Sequence, residues 1–355
     1  MRIIAAASFV ASLLLVAGCG SSTGSSLPSR SPSSGKTAAP AVVPARQVWH
    51  RQGEGQLPKE DSLLAADFVD LKHGWVVGGP VEATTNGGAY WVPQMTGMGQ
   101  PFRGASFVDS RHGWLVGAGG EIAVTSDGSS WDPQPSGTKA ELWSVAFVDR
   151  DSGWAVGGTW DDESHGVILG TTDGGRHWTQ QSDSQSLLTG VVFADAQHGW
   201  AVGDPGVILA TSDGGATWTE QLRADASGLG WFTADRFFGV ACADRLHAWA
   251  VGYDLSRAVV ATTTDGGARW SVHDVGLGKD SGLIGVAFAD ANNGWAVGHE
   301  DDDTGVVLAT TDGGRTWMPQ RLPHRDLFMA VCCVDARHVW VTANDGSVFS
   351  TSEVR

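Results

Sequence analysis

The chain has 355 residues, 49 of them Gly and 17 Trp, with a formal charge of −16. A hydrophobic share of 42% against 17% charged residues excludes wholesale disorder, because there is apolar material for a sizeable core. The excess of 39 acidic over 23 basic residues disfavours a nucleic-acid binder, which needs clustered Lys and Arg to neutralise phosphates.

In chain order, Arg2 precedes an apolar run from Ile3 to Val16 that ends in Val16-Ala17-Gly18-Cys19. A basic start, a short hydrophobic stretch and small residues before a processing point read as an export signal over residues 1–18. The run is shorter than the roughly 20 residues that span a bilayer. The segment resembles a bacterial lipoprotein signal, which implies that Cys19 is acylated and that the mature chain is anchored outside the cytoplasm by lipid alone. Residues 19–46, rich in Ser, Pro, Gly and Ala without apolar periodicity, read as the lipidated Cys and a disordered tether. Gly20-Ser21-Ser22-Thr23-Gly24 within it matches a nucleophile-elbow pattern only formally, because the elbow needs a strand before it and a helix after it.

Residues 47–355 are a repeat. The phrase Asp149-x-x-x-Gly153-Trp154-Ala-Val-Gly157 returns around Trp75, Trp114, Trp200, Trp249, Trp295 and, more loosely, Trp340. A period in the forties with four short apolar segments per unit predicts an all-β, seven-bladed propeller of four-stranded antiparallel blades. In unit 4 the strands fall at 188–195, 200–203, 207–211 and 218–221. A second phrase, Thr172-Asp173-Gly174-Gly175-x-x-Trp178, recurs with Asp127, Asp213, Asp265 and Asp312, and with Asn86 in unit 1. An Asx-Gly pair between apolar runs is a hairpin turn, so these six residues read as turn-formers and not as metal ligands. Cys242 and Cys333 align with Phe107, Phe147, Phe193 and Phe288, and therefore read as core fillers. Unit 7 ends after its third strand, whereas Val48-Trp49-His50-Arg51-Gln52 supplies an unassigned fourth strand before unit 1. The N-terminal strand is thus expected to complete blade 7 and close the ring.

The Asp-Gly-Gly-x-x-Trp turns resemble Asp-boxes, or BNR repeats. Their combination with F-x-D-x-x-x-G-W-x-V-G resembles the photosystem II assembly and stability factor family and its bacterial relatives over roughly residues 47–355. The resemblance implies a non-enzymatic scaffold that binds a protein segment during membrane-complex assembly, in photosynthetic members through an arginine-rich surface. This chain departs there, being acidic with dispersed Arg.

What recurs in every blade serves the blade, so functional candidates are what does not recur. Fourteen Trp divide two per blade, leaving Trp143, Trp160 and Trp231. All three are placed near the face formed by the D–A and B–C loops, opposite the Asp-boxes. The same face is assigned Arg223, Arg236, Arg257, Arg321 and Arg325, and the acidic runs 161–163 and 300–303. Exposed aromatics and Arg are interface anchors, although packing of the Trp against the blades and solvation of the charges are the alternatives. The acidic runs lack the spacing of a calcium loop. A protein or peptide client is expected, with no nucleic acid, cofactor or metal. The alternative is glycan binding or sialidase-like hydrolysis, with Tyr253 as nucleophile or with carboxylates drawn from Glu163, Asp204, Asp254 and Asp280.

Overall fold

The computed structural model describes residues 47–54, 57, 62–159, 165–223, 236–254, 257–300 and 304–352. The signal, Cys19 and the tether lie outside the described residues. The described chain forms seven four-stranded antiparallel sheets. Six run in sequence order, and within each the first strand, A, is innermost. A strands contact A strands of both neighbouring blades and so encircle the axis. Blade 4, for instance, comprises Leu187–Phe193, Gly199–Asp204, Val207–Thr211 and Thr219–Arg223.

The seventh sheet holds Phe328–Cys333, Val339–Ala343, Val348–Ser352 and, as its outer strand, Val48–Gln52. Val48 pairs with Ser352 and Gln52 with Val348, so the expected closure is present. Trp49 is buried at 5% exposure. The closing strand covers the edge that Val348–Ser352 would otherwise expose to another chain.

The repeated residues account for the packing between blades. The strand-B Trp of one blade stacks on the strand-A Phe of the next, with centroids 3.5 Å apart for Trp114–Phe147, Trp154–Phe193 and Trp249–Phe288. That Phe meets the strand-D Trp of its own blade edge-on, as in Phe147–Trp178 at 5.8 Å and 89°. Each buried Trp contributes about 5 kcal/mol of gross transfer free energy, an upper bound from area. The exceptions are Trp200 and Trp295, whose stacking partner would fall at Cys242 and Cys333. Cys333 is buried and Cys242 half-buried, and desolvation pushes the Cys242 thiol up to about 12, which makes it an inert filler.

The stacked Trp also fixes the Asp-box turn of the following blade. Trp114 Nε1 donates to Gly174 O at 3.0 Å, and Trp154 Nε1 to Gly214 O at 2.9 Å. Blade 7 carries no box, and there Trp295 Nε1 donates instead to Gln47 Oε1 at 3.1 Å, just before the closing strand. Within a box, Asp213 Oδ1 accepts from Thr217 N at 2.9 Å and from Thr211 Oγ1 at 2.8 Å. Asn86, Asp127, Asp173, Asp265 and Asp312 accept backbone N–H bonds in the same way. These bonds hold the carboxyls of Asp127, Asp173, Asp213 and Asp265 below the usual range, and at Asp312, where burial opposes ionisation, they outweigh it to the same effect. Two glycine positions explain the motif spelling. Gly174 has φ 75°, open to Gly at no steric cost. At Gly157 a Cβ would overlap the Glu141 carbonyl, so the A and B strands approach only without a side chain.

One core position breaks the pattern. The residue opposite Trp+1 in strand C is Leu169, Leu209 and Leu308 in blades 3, 4 and 6, but Glu82 in blade 1. Glu82 is 2% exposed and its Oε2 is buried without a hydrogen-bond partner, so desolvation pushes the carboxyl up to about 7.

Candidate functional site

Every A strand carries a β-bulge at the same place, and the extra residue is different in each blade: Leu64, Arg103, Trp143, Thr189, Phe238, Ile284 and Met329. A bulge turns its unpaired residue out of the ladder. Bulged residues meet around the inner ring. Leu64 and Met329 pack together with Ile284, and the Arg103 guanidinium sits 4.1 Å over the Trp143 ring. Thr189 Oγ1 donates to Phe237 O of the next blade at 2.7 Å. The architecture repeats here while the chemistry does not.

This corrects the placement of Trp143 as an edge of the open face. It is 3% exposed, packed on Leu187 and covered by Arg103, which pairs with Glu141 at 3.2 Å. The bulge turns it inward. Trp160 and Trp231, the run 161–163 and residues 301–303 lie outside the described residues.

The five candidate Arg separate into two groups. Arg223 pairs with Glu220 at 2.7 Å, Arg236 with Asp204 at 2.9 Å, and Arg257 with Asp274 at 3.2 Å. Arg321 and Arg325 are exposed on the connection between blades 6 and 7 and form no ion pair among the described residues. The first group is committed to local structure, whereas the second projects cationic donors outward.

Around the Arg236–Asp204 pair lies a small cluster. Burial pushes the Asp204 carboxyl upward and Arg236 only partly opposes it. Tyr253 stands opposite Arg236 across the strand pair, its ring 5.4 Å from Phe238. Asp254 Oδ1 is buried without a hydrogen-bond partner. Among the described residues the contact of the Tyr253 ring is with Phe238 and not with a carboxylate, which a sialidase-like nucleophile requires. Asp280 sits in a left-handed turn at φ 59°, and Glu163 lies outside the described residues.

Two residues of the inter-blade connection, His324 and Asp326, meet Asp345 of the blade 7 B–C turn. Sequence reading passed over this set, because the partners belong to different loops and form no spaced motif. On the opposite face, a groove of about 720 Å³ opens between blades 5 and 6, beside Asp265, Arg269, Asp312 and Arg315. A groove of about 470 Å³ occupies the same place between blades 3 and 4. Its recurrence marks it as a product of blade spacing.

The family model described as photosynthesis system II assembly factor YCF48 matches residues 129–225 and 228–354, more than half of the chain. A solved structure of YCF48 bound to a D1 peptide is similar with a TM-score of 0.65 and 18% identity, covering 86% of this chain and 97% of that one. YCF48 from Cyanidioschyzon merolae gives 0.66 and 19%, with 86% and 99% covered. A GH74 xyloglucanase from Xanthomonas campestris gives 0.64 and 13%; 85% of this chain matches 53% of that enzyme. No curated protein matches the chain in sequence. At these identities the structures share the fold, and the family assignment rests on the sequence model: the chain belongs to the photosynthesis system II assembly factor YCF48 family.

Proposed function

We propose that the protein is a non-enzymatic scaffold that binds a protein or peptide segment on its D–A and B–C loop face, tethered outside the cytoplasm by lipid on Cys19. The observation that carries this reading is the division of the ring into a uniform face and a particular one. Asp-box turns repeat around one face, while the loop face presents exposed Arg321 and Arg325 on one connection only. Exposed Arg suits carboxylates and backbone carbonyls of an extended segment. Membership of the YCF48 family, and the D1 peptide bound by one YCF48 structure, support a polypeptide as the bound partner. In affinity purification from membranes, wild type is expected to retain a reproducible protein partner that Arg321→Glu with Arg325→Glu loses at unchanged melting temperature. Equal recovery by both would contradict the assignment of the face.

A glycan-active reading rests on the Asp204–Arg236–Tyr253 cluster and on the xyloglucanase likeness. Glycoside turnover abolished by Tyr253→Phe would favour it over the scaffold.

A further inference from the structure

We propose that His324, Asp326 and Asp345 form a binding site for one divalent transition-metal ion, with zinc the best match. Their ligand atoms lie within 4.8 Å of one another. His324 Nε2 is 3.2 Å from Asp326 Oδ2 and 3.4 Å from Asp345 Oδ1. Those lengths invite a hydrogen-bond reading, yet Nε2 is a buried atom with no hydrogen-bond partner: neither oxygen lies along its donor direction. Two ligands held about 2.0–2.1 Å from zinc at the tetrahedral angle stand about 3.3 Å apart. The two His–Asp separations match such a ligand–ligand edge, and the two carboxylates lie within 4.8 Å of each other.

The supporting residues hold the donors in place. The His324 side chain is 12% exposed and its ring packs 4.9 Å from Phe349 and 5.8 Å from Phe328. Asp345 accepts from Ser347 N at 2.9 Å and Ser347 Oγ at 2.8 Å, which fixes its carboxylate as outer-shell bonds do in metal sites. Arg51 donates to Ser347 Oγ at 2.8 Å, so that cation is engaged on the supporting residue. One imidazole nitrogen with two carboxylates suits zinc or a neighbouring transition metal better than calcium, which prefers oxygen throughout. Three protein ligands leave a position toward solvent on the side of Asp326, whose side chain is 57% exposed. A bound ion would tie the connection between blades 6 and 7 to the blade that closes the ring, and would hold Arg325, between two of the ligands, on the loop face.

The test is calorimetric titration of the metal-stripped full chain with zinc chloride, paired with thermal melting. One zinc per chain is expected, with a melting temperature raised by several degrees. Asp326→Asn, a change at an exposed carboxylate, is expected to weaken binding at least about tenfold without altering the metal-free melt. His324→Gln is expected to abolish it. Zinc bound equally by wild type and both variants would overturn the site. So would a wild-type chain that binds no zinc and whose melting responds at this cluster only to pH, which would make it a histidine–carboxylate ion pair.

Discussion

Deletion of residues 47–53 is expected to lower the melting temperature by more than about 10 °C. The deletion strips blade 7 of its outer strand and exposes the edge of Val348–Ser352. It also leaves Trp295 Nε1 without Gln47, and Ser347 without Arg51. Trp49 alone, 5% exposed, belongs to the cluster that joins blades 6 and 7. Truncating such a side chain costs about 3–5 kcal/mol, and each kcal/mol moves the midpoint of a large domain by about 2 °C. Trp49→Ala should therefore lower it by roughly 8 °C, and the deletion by more. Differential scanning calorimetry checks both; an unchanged midpoint after deletion would show that the ring does not depend on this strand.

Replacing Glu82 with Leu is expected to stabilise the protein at pH 8 and to leave it nearly unchanged at pH 4. The sign follows from linkage. Below the ordinary carboxyl value of 4.5 both folded and unfolded chains carry a protonated Glu82, and the residue contributes no pH dependence. Above it the unfolded chain ionises, while the folded chain holds its proton until about 7. Stability is therefore lost progressively across that window, by up to about 3 kcal/mol at 1.36 kcal/mol per unit. Leu, present at this slot in blades 3, 4 and 6, removes the charge and fills the space. The acid limb is separate. Burial opposes ionisation of Asp70, Asp195, Asp244, Asp290 and Asp335, but hydrogen bonds to the carboxylates outweigh it and hold all five below 3.8. Their stabilisation is present above that value and lost as pH falls through the depressed folded values. Chemical denaturation of wild type and Glu82→Leu from pH 4 to 8 checks this. A variant less stable at both ends would show that the carboxyl has a partner in the fold.

The features legible in the sequence were those that recur from blade to blade. Trp154, Phe193 and Trp218 announce themselves because stacking between blades needs large apolar faces at fixed register, and Asp213-Gly214 because the turn admits little else. Closure was legible from a remainder: one strand too few at the end and one too many at the start. What occurs once was harder to read. Trp143 looked like a surface anchor because nothing in its neighbours announces a bulge, and the seven bulged residues share no side-chain type. Glu82 reads as an outward residue in Val81-Glu82-Ala83-Thr84, and only alignment with Leu169 and Leu209 shows the slot to be internal. His324 and Asp345 are brought together by loop geometry alone, which periodicity does not report.

Whether the loop face is the one that holds a polypeptide can be read by site-specific photocrosslinking in cells. A photoreactive residue is placed at Arg325 on the loop face and, as the opposite-face control, at His177, which is 86% exposed beside an Asp-box. A discrete protein adduct is expected from position 325 and none from position 177. An adduct from position 177 alone would contradict that expectation.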